Sequence, residues 1–209
     1  MKIKNWKLEI LSMSNDLIKN LREQTGAGIL DVKAALDEAK GDKEKAVEIL
    51  RKKGAVKMGK KADRAAKEGL VEAYIHPGEK LGVLLELNCE TDFVARTTDF
   101  KNLARELALH IAASNPLYIS IGDVPEEVVE KEKEIYKQQA LTVAKNKSED
   151  IINKMLEGKI NKYYEEACLL EQPYVKNPDI KIKQVIVDAV AKMGENIQVR
   201  RFARFVLGN

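Results

Sequence analysis

LGVLLELNCETDFVAR (residues 81–96) is the stretch in which the hydrophobic period of the sequence changes. In its first half apolar and polar residues alternate, with Leu84 as the exception, which is the period of a half-buried strand. Thr91 and Asp92 then offer side-chain oxygens that can cap a helix. Beyond them an apolar stripe with helical spacing runs from Phe100 to Ile111. The stretch therefore predicts a strand followed directly by an amphipathic helix.

The predicted strand is expected to close a hairpin, because residues 70–76 also have the character of a strand and Pro77-Gly78-Glu79 lies between the two. Periodicity and charge predict two long helices, at residues 125–145 and 150–171, and a loop at 172–178. A shorter helix at 182–193 and a final strand at 197–207 are predicted beyond the loop. The apolar phase of the final strand shifts at Arg200-Arg201, which predicts a bulge. An antiparallel sheet packed on helices gives an α+β fold class.

Upstream of the hairpin, helical spacing of apolar residues predicts a miniature bundle of three helices that ends at Gly54. Basic residues and alanines dominate the next segment, which predicts a solvated linker helix. The predicted domains are an N-terminal extension at residues 1–13, with Met13 as an alternative start, and a three-helix bundle at 14–54. A basic linker helix at 55–68 and an α+β core at 69–209 are predicted to follow.

The composition carries no large charge of one sign, since 36 basic and 33 acidic residues leave a net charge of +3. Nucleic-acid-binding modules usually have a marked basic excess, so this balance argues against one. Cys89 and Cys168 lack the spacing of a zinc site or a disulfide framework, which points to a reducing cytoplasm. No apolar run approaches the roughly 20 residues of a membrane span, so no membrane association is expected.

The residue types that carry catalysis are sparse and have no partners close in sequence. His76 is expected at the hairpin turn, where a surface contact is open, and His110 is expected to be packed or partly exposed within a helix. Gly26-Ala27-Gly28 lacks the Gly-Lys-Ser/Thr of a phosphate loop and is interpreted as a turn between helices. The sequence predicts no catalytic residue, no metal site and no cofactor.

Phe93 is an aromatic residue at the predicted junction between strand and helix. A large apolar side chain at this point can enter the core or point outward as an anchor for a partner. Taken alone, the pattern favours the core, because buried aromatic residues outnumber exposed functional ones. The residues themselves leave both alternatives open.

Four segments of the sequence resemble the elongation factor Ts family. They are TDFV, LREQTGAGILDVK, GENI with VRRF beyond it, and QPYV, at residues 91–94, 21–33, 194–202 and 172–175. The four matches follow the order of the family and span about residues 14–208, which makes the joint resemblance specific. It implies a ubiquitin-associated-like bundle at the N-terminus.

The resemblance implies a guanine-nucleotide exchange factor that binds the complex of elongation factor Tu with GDP, displaces Mg²⁺ and GDP, and lets GTP load during translation elongation. The residues implied to dislocate Mg²⁺ are Thr91, Asp92, Phe93 and Val94. Further contacts with elongation factor Tu are implied at Ile29, Leu30, Lys33, Lys61, His76, Val175, Met193 and Gly194. Three of these positions depart from the common family pattern, which has Met-Met at 29–30 and Ile at 193.

The family has a long form with two copies of the core and a short form with one. This chain has one TDFV-like and one GENI-like segment, so it resembles the short form, which pairs with itself. The resemblance therefore implies a cytoplasmic homodimer, with residues 69–209 as the dimerisation domain. It implies a binding protein rather than an enzyme.

Two other functions remain open from the residues. The basic segment 51–67 is compatible with an RNA- or DNA-binding module, although aromatic residues do not interleave with its lysines. Steep salt-dependent retention on RNA would favour that function. The N-terminal bundle is also compatible with a helical adaptor, which co-purification with a partner other than elongation factor Tu would favour.

Overall fold

The structure is a computed structural model that describes residues 16–22, 25, 27–61, 63–143 and 149–208. Its helices are 16–22 (α1), Ile29–Glu38 (α2), Lys43–Lys61 (α3), Asp92–Ala95 (α4), Thr98–Ser114 (α5), Glu126–Val143 (α6), Glu149–Ala167 (α7) and Ile182–Met193 (α8). Its strands are Glu68–Ile75 (β1), Leu81–Cys89 (β2), Pro173–Tyr174 (β3), Asn177–Lys181 (β4) and Gln198–Val206 (β5). The predicted N-terminal extension, 1–13, lies outside the described residues.

An antiparallel sheet of three strands, in the order β1-β2-β5, confirms the α+β fold class. The predicted hairpin joins β1 and β2, and the N–H of His76 donates to the carbonyl oxygen of Leu81 over 2.9 Å. Alternation along β2 is as expected, with Val83 and Leu85 buried and Leu84 46% exposed. The apolar stripe of α5, from Phe100 to Ile111, is buried as well.

Helices α1, α2 and α3 share a small apolar core, as the periodicity predicts. Its buried members are Ile18, Leu21, Val32, Ala35, Leu36, Ala39, Ala46 and Leu50. They come from all three helices, so each amphipathic face is covered by the other two.

Contacts divide the described chain into two compact units, each built from three separate segments. The first unit contains the described residues up to Leu70 together with 88–101 and 186–198. The second unit contains 71–87, 102–185 and the described residues from Val199 onward. None of the helices among the described residues is long and apolar enough to cross a membrane.

Helix α3 does not end at Gly54, and this corrects the predicted break between bundle and linker. The helix continues to Lys61, so residues 55–61 extend it rather than forming a separate linker helix. Gly54 faces α8, because a Cβ at this position would lie 3.5 Å from Val187 Cγ1 and 3.9 Å from Ala191 Cβ. A Cβ would meet these side chains at ordinary contact distance, so neither helix termination nor lack of space requires a glycine here.

The segment predicted as a loop at 172–178 contains most of a small antiparallel hairpin, formed by β3 and β4. The preceding helix α7 ends at Ala167, short of the predicted end, and a 3₁₀ turn follows at Leu169–Glu171. In β5 the neighbours Arg200 and Arg201 are both exposed, which fits the predicted shift of phase, while the bulge itself stays a prediction.

Candidate functional site

Residues 91–95 form a single helical turn between the end of β2 and the start of α5. Thr91 has extended backbone angles and caps the turn, and its hydroxyl oxygen accepts a hydrogen bond from the N–H of Val94 at 3.4 Å. The N–H of Ala95 donates to the carbonyl oxygen of Thr91 at 3.3 Å. The capping threonine thus behaves as the sequence predicts.

The side chain of Phe93 is 80% exposed to solvent, so the ring lies outside the core of its own chain. Ala95, two residues further on, is only 7% exposed. Residues two positions apart in a helix point about 200° apart, so burial of one directs the other outward. Of the two alternatives that the residue pattern leaves open, the structure has the outward one.

The carboxylate of Glu195 lies beneath this turn and accepts three hydrogen bonds from it. Glu195 Oε2 accepts from the backbone N–H of Glu90 and of Thr91, each at 3.0 Å. Glu195 Oε1 accepts from the Thr91 hydroxyl at 2.6 Å. Hydrogen bonds to a charged acceptor are the strong ones, so Glu195 ties the capping residue to the loop after α8.

Bonds in the opposite direction complete the connection between the two loops. Glu90 Oε1 accepts from the backbone N–H of Asn196 at 2.7 Å and lies 3.5 Å from the guanidinium of Arg64. The buried side chain of Asn196 donates to the carbonyl oxygen of Arg64 at 2.8 Å. Sequence reasoning assigned no role to Glu195 or Asn196, although both lie in the GENI segment, because the partners of an acidic or amide residue cannot be identified from spacing.

Asp92 is the charged member of the turn, and its carboxylate lies 2.8 Å from Arg96 one turn further along. The side chains are 46% and 78% exposed, respectively. Exposed ion pairs of this spacing contribute little and exchange readily with solvent. The Asp92 carboxylate therefore remains accessible to a partner.

Met193 and Gly194 lie at the end of α8, and Gly194 has a φ of +81°, in the left-handed region that favours glycine. Its carbonyl oxygen accepts a hydrogen bond from Lys61 Nζ at the end of α3. Lys61 was predicted to contact elongation factor Tu; here its ammonium group is bonded within the chain, and the partner contact stays a prediction.

The predicted apolar pair at the start of α2 lies at the surface. Ile29 is 47% exposed and Leu30 is 82% exposed, while Lys33, one turn further on, is also exposed. Gly28 is the N-cap of this helix and contributes no side-chain cap. The pair is therefore a solvent-facing apolar group at a helix start, in the first unit with the 91–94 turn.

His76 and Val175 belong to the second unit, whereas the other ten predicted site residues belong to the first. His76 is exposed at the β1–β2 turn, and its Nδ1 lies 3.0 Å from the hydroxyl of Tyr74. Val175 is 40% exposed at the turn between β3 and β4. Both are surface residues at tight turns.

The sequence profile of the family described as "Elongation factor TS" matches residues 12–209. The chain belongs to the elongation factor Ts family. "Elongation factor Ts" of Thermotoga maritima is 57% identical over 198 residues, covering 95% of this chain and 98% of the relative. "Elongation factor Ts" of Carboxydothermus hydrogenoformans is 55% identical over 94% of this chain and 89% of the relative. That of Syntrophus aciditrophicus is 52% identical over 95% of this chain and 98% of the relative.

Membership of the elongation factor Ts family gives the chain the role of a nucleotide exchange factor for elongation factor Tu in translation elongation. The geometry is compatible with that role, because it presents exposed apolar side chains on structured elements.

His110 is a residue of α5 whose hydrogen-bond partners could not be identified from the sequence. It is fully buried, and its Nε2 lies 2.9 Å from Gln172 Oε1. Its Nδ1 accepts from the backbone N–H of Val175 at 3.3 Å, which fixes the neutral tautomer with the proton on Nε2. Burial lowers the pKa of His110, and the bond to Gln172 opposes that shift.

The two thiols, Cys89 and Cys168, are free and buried. Burial raises the pKa of each to about 11, so both are protonated at neutral pH. Among the residues that the structure describes, no group of three His, Cys, Asp or Glu side chains is placed to hold a metal ion.

Proposed function

We propose that the turn formed by Thr91, Asp92, Phe93 and Val94 enters the nucleotide-binding domain of elongation factor Tu and dislocates the Mg²⁺ that holds GDP. The observation that carries this proposal is the 80% exposed ring of Phe93 on a turn whose neighbours are anchored. A rigid aromatic side chain is an effective interface anchor, because it gains much contact area and loses little conformational entropy.

Mg²⁺ is the point at which a small displacement has a large effect. The ion requires near-octahedral oxygen ligands at about 2.0–2.1 Å, so moving one ligand by a fraction of an ångström weakens both the ion and the phosphates it bridges. We call the exposed Phe93 ring the wedge. Asp92 adds a negative charge close to the wedge, where it competes with phosphate for positive groups of the partner. GDP then leaves and GTP can load.

The exposed residues of the N-terminal bundle supply a second contact that is separate from the wedge. Ile29 and Leu30 offer an apolar pair, and Lys33 adds a positive charge on the same helix. Met193 and Gly194 support the wedge from the end of α8, and Lys61 is a basic contact beside them. His76 and Val175 are contacts that the second unit contributes.

Exchange is a coupling between two binding reactions. The factor must bind nucleotide-free elongation factor Tu more tightly than the GDP-bound form, and by reciprocity GDP must weaken binding of the factor to the same extent. No covalent chemistry is required of the chain, so it acts as a binding protein rather than an enzyme. Its setting is the cytoplasm, and it binds neither nucleic acid nor membranes directly.

We further infer that two copies associate through the three-stranded sheet. Five large apolar side chains on or beside its strands are exposed: Val71, Ile75, Leu84, Phe205 and Leu207. Four of them line an open recess of about 630 Å³ in the second unit. Apolar area of this kind on a sheet favours a self-complementary two-fold interface, in which each copy covers the other.

The proposed function is tested by stopped-flow measurement of labelled GDP leaving elongation factor Tu, with and without this protein. Wild-type protein should accelerate release, and Phe93→Ala should lose most of the acceleration while its circular dichroism is unchanged. Leu117→Ala is the matched control, since Leu117 is also exposed, at 62%, but lies outside the proposed contacts. Equal acceleration by Phe93→Ala and wild-type protein would exclude the wedge.

A further inference from the structure

We propose that Glu195 is a positioning residue for exchange: its carboxylate fixes the capping residue of the 91–95 turn and thereby sets where the Phe93 ring stands. This inference rests on the wedge role proposed for Phe93. Glu195 then acts in exchange through its hydrogen bonds to Glu90 and Thr91.

The side chain of Glu195 binds three hydrogen-bond donors of residues 90–91. The two carboxylate oxygens of Glu195 accept the backbone N–H groups of Glu90 and Thr91 and the hydroxyl of Thr91. The same hydroxyl oxygen accepts the N–H of Val94, immediately after Phe93. A chain of hydrogen bonds therefore runs from Glu195 through Thr91 to the residue that follows the ring.

The hydrogen bonds between the 90–91 loop and the 195–196 loop run in both directions. Glu195 binds backbone amides of the 90–91 loop, while Glu90 binds the backbone amide of Asn196 in the other loop. Arg64 contributes to the same network through its carbonyl oxygen and its guanidinium group. Two carboxylates that each bind the other loop restrain both loops more strongly than one bond would.

The ring of Phe93 is largely surrounded by solvent. A ring that is 80% exposed has little packing within its own chain to hold it, so its position depends on the backbone beneath it. If that backbone sampled several conformations, only the fraction of molecules with the ring correctly placed would act as a wedge. Preorganisation by Glu195 removes that loss, since the ordering is completed before elongation factor Tu binds.

Glu195→Ala removes both acceptor oxygens and with them all three hydrogen bonds. Glu195→Gln keeps a carbonyl oxygen for the two backbone N–H groups and reverses only the bond to the Thr91 hydroxyl. The experiment measures labelled GDP release at a series of factor concentrations, which separates the maximal rate from the half-saturating concentration. The proteins are wild type, Glu195→Ala, Glu195→Gln, Phe93→Ala and the double variant Phe93→Ala/Glu195→Ala. Urea unfolding gives the stability of each.

Glu195→Ala should lower the maximal release rate roughly tenfold, because it removes hydrogen bonds to a charged acceptor. The half-saturating concentration should change much less, since the other contacts remain. Glu195→Gln should recover most of the rate. In the Phe93→Ala background the second substitution should add little, because both act through the same ring.

Asp99→Asn is the matched control, because the Asp99 carboxylate also pairs with a group of α8, Lys192 Nζ at 2.8 Å, but has no bond to residues 90–94. It should leave the release rate unchanged. If Glu195→Ala is too unstable to measure, Thr91→Val takes its place, since it removes only the hydroxyl bonded to Glu195 and Val94. That variant should lose severalfold in maximal rate.

The outcomes separate this inference from the proposed function. A slow Phe93→Ala together with a fully active Glu195→Ala would overturn the positioning role and leave the wedge intact. Equal losses from Glu195→Ala with and without Phe93 would also overturn it, since the carboxylate would then act independently of the ring. A fully active Phe93→Ala would overturn the proposed function itself.

Discussion

Around Phe93, neighbouring side chains make the internal contacts while the ring remains in solvent. Ala95 is buried and Thr91 caps the turn. The carboxylate of Glu195 accepts hydrogen bonds from the backbone N–H groups of Glu90 and Thr91. These hydrogen bonds hold the backbone that carries the ring, which is itself 80% exposed. This arrangement leaves the apolar area of the ring available to a partner.

His110 provides a prediction about pH, because its folded-state pKa lies below its ordinary value. Below about pH 6.5 the unfolded chain binds the proton more readily than the folded chain, so stability should fall as the solution is acidified. The loss is at most about 1.4 kcal/mol per pH unit. Urea unfolding of wild type and His110→Gln at pH 7.5 and 5.5 measures it.

The variant should lose less stability on acidification than wild type. Protonation of His110 at Nδ1 would also end its acceptance of the Val175 N–H. Identical pH dependence of wild type and His110→Gln would show that His110 does not titrate in this range.

Residue types and spacing predicted the capping role of Thr91, because capping is a local property of the chain. They could not decide the orientation of Phe93, since that depends on which side of a single turn faces the protein. They also missed Glu195, whose partners lie 104 and 105 positions away. Long-range pairing of polar groups leaves no periodic pattern in the sequence.

At the level of helices and strands, hydrophobic period was a reliable guide. The predicted helix at 182–193 coincides with α8, and the alternation of β2 is the observed one. Gly54 was misinterpreted as a helix end because glycine commonly terminates helices but also occurs inside them. The backbone of α3, which continues to Lys61, distinguishes the two cases.

Gly54→Ala tests the packing of α3 against α8. The new Cβ would make an ordinary contact, 3.5 Å from Val187 Cγ1, and alanine is the better helix former. The free energy of unfolding should therefore rise by about 0.5–1 kcal/mol in urea titration.

Gly59→Ala on the same helix is the control, since no atom lies within 4 Å of its new Cβ and only helix propensity changes. Gly54→Ala should gain at least as much stability as the control. A loss at Gly54 combined with a gain at Gly59 would mean that α3 and α8 have no room for a methyl group.

For the molecule as a whole, the proposed function involves contacts in addition to the Phe93 ring. The proposed contacts lie in both compact units, and each unit is assembled from three separate segments. Composition along the chain does not reveal such an assembly. The continuous helix α3 removes the predicted break at Gly54, and the boundary at residue 68 stays a prediction. The four family-like segments are more informative at this scale, because their order spans nearly the whole chain.

Association of two copies makes a prediction about the sheet. Phe205→Asp places a charge among the exposed apolar side chains of the recess, and burying an unpaired charge is costly. Wild-type protein should sediment as a dimer and Phe205→Asp as a monomer in analytical ultracentrifugation.

Leu117→Asp is the control for this substitution, because Leu117 is as exposed as Phe205, at 62% each, but does not line the recess. It should remain dimeric. A monomeric wild-type protein in dilute solution, or a dimeric Phe205→Asp, would rule out association through this sheet.

We propose that Phe93 couples binding of this chain to loss of GDP from elongation factor Tu. The direct measurement is the equilibrium affinity of elongation factor Tu for labelled GDP, with and without saturating factor. Wild-type factor should weaken GDP binding by roughly tenfold or more, the usual range of such couplings. Phe93→Ala should still bind elongation factor Tu yet leave the GDP affinity almost unchanged. If Phe93→Ala weakens GDP binding as much as wild type does, the coupling does not pass through this ring.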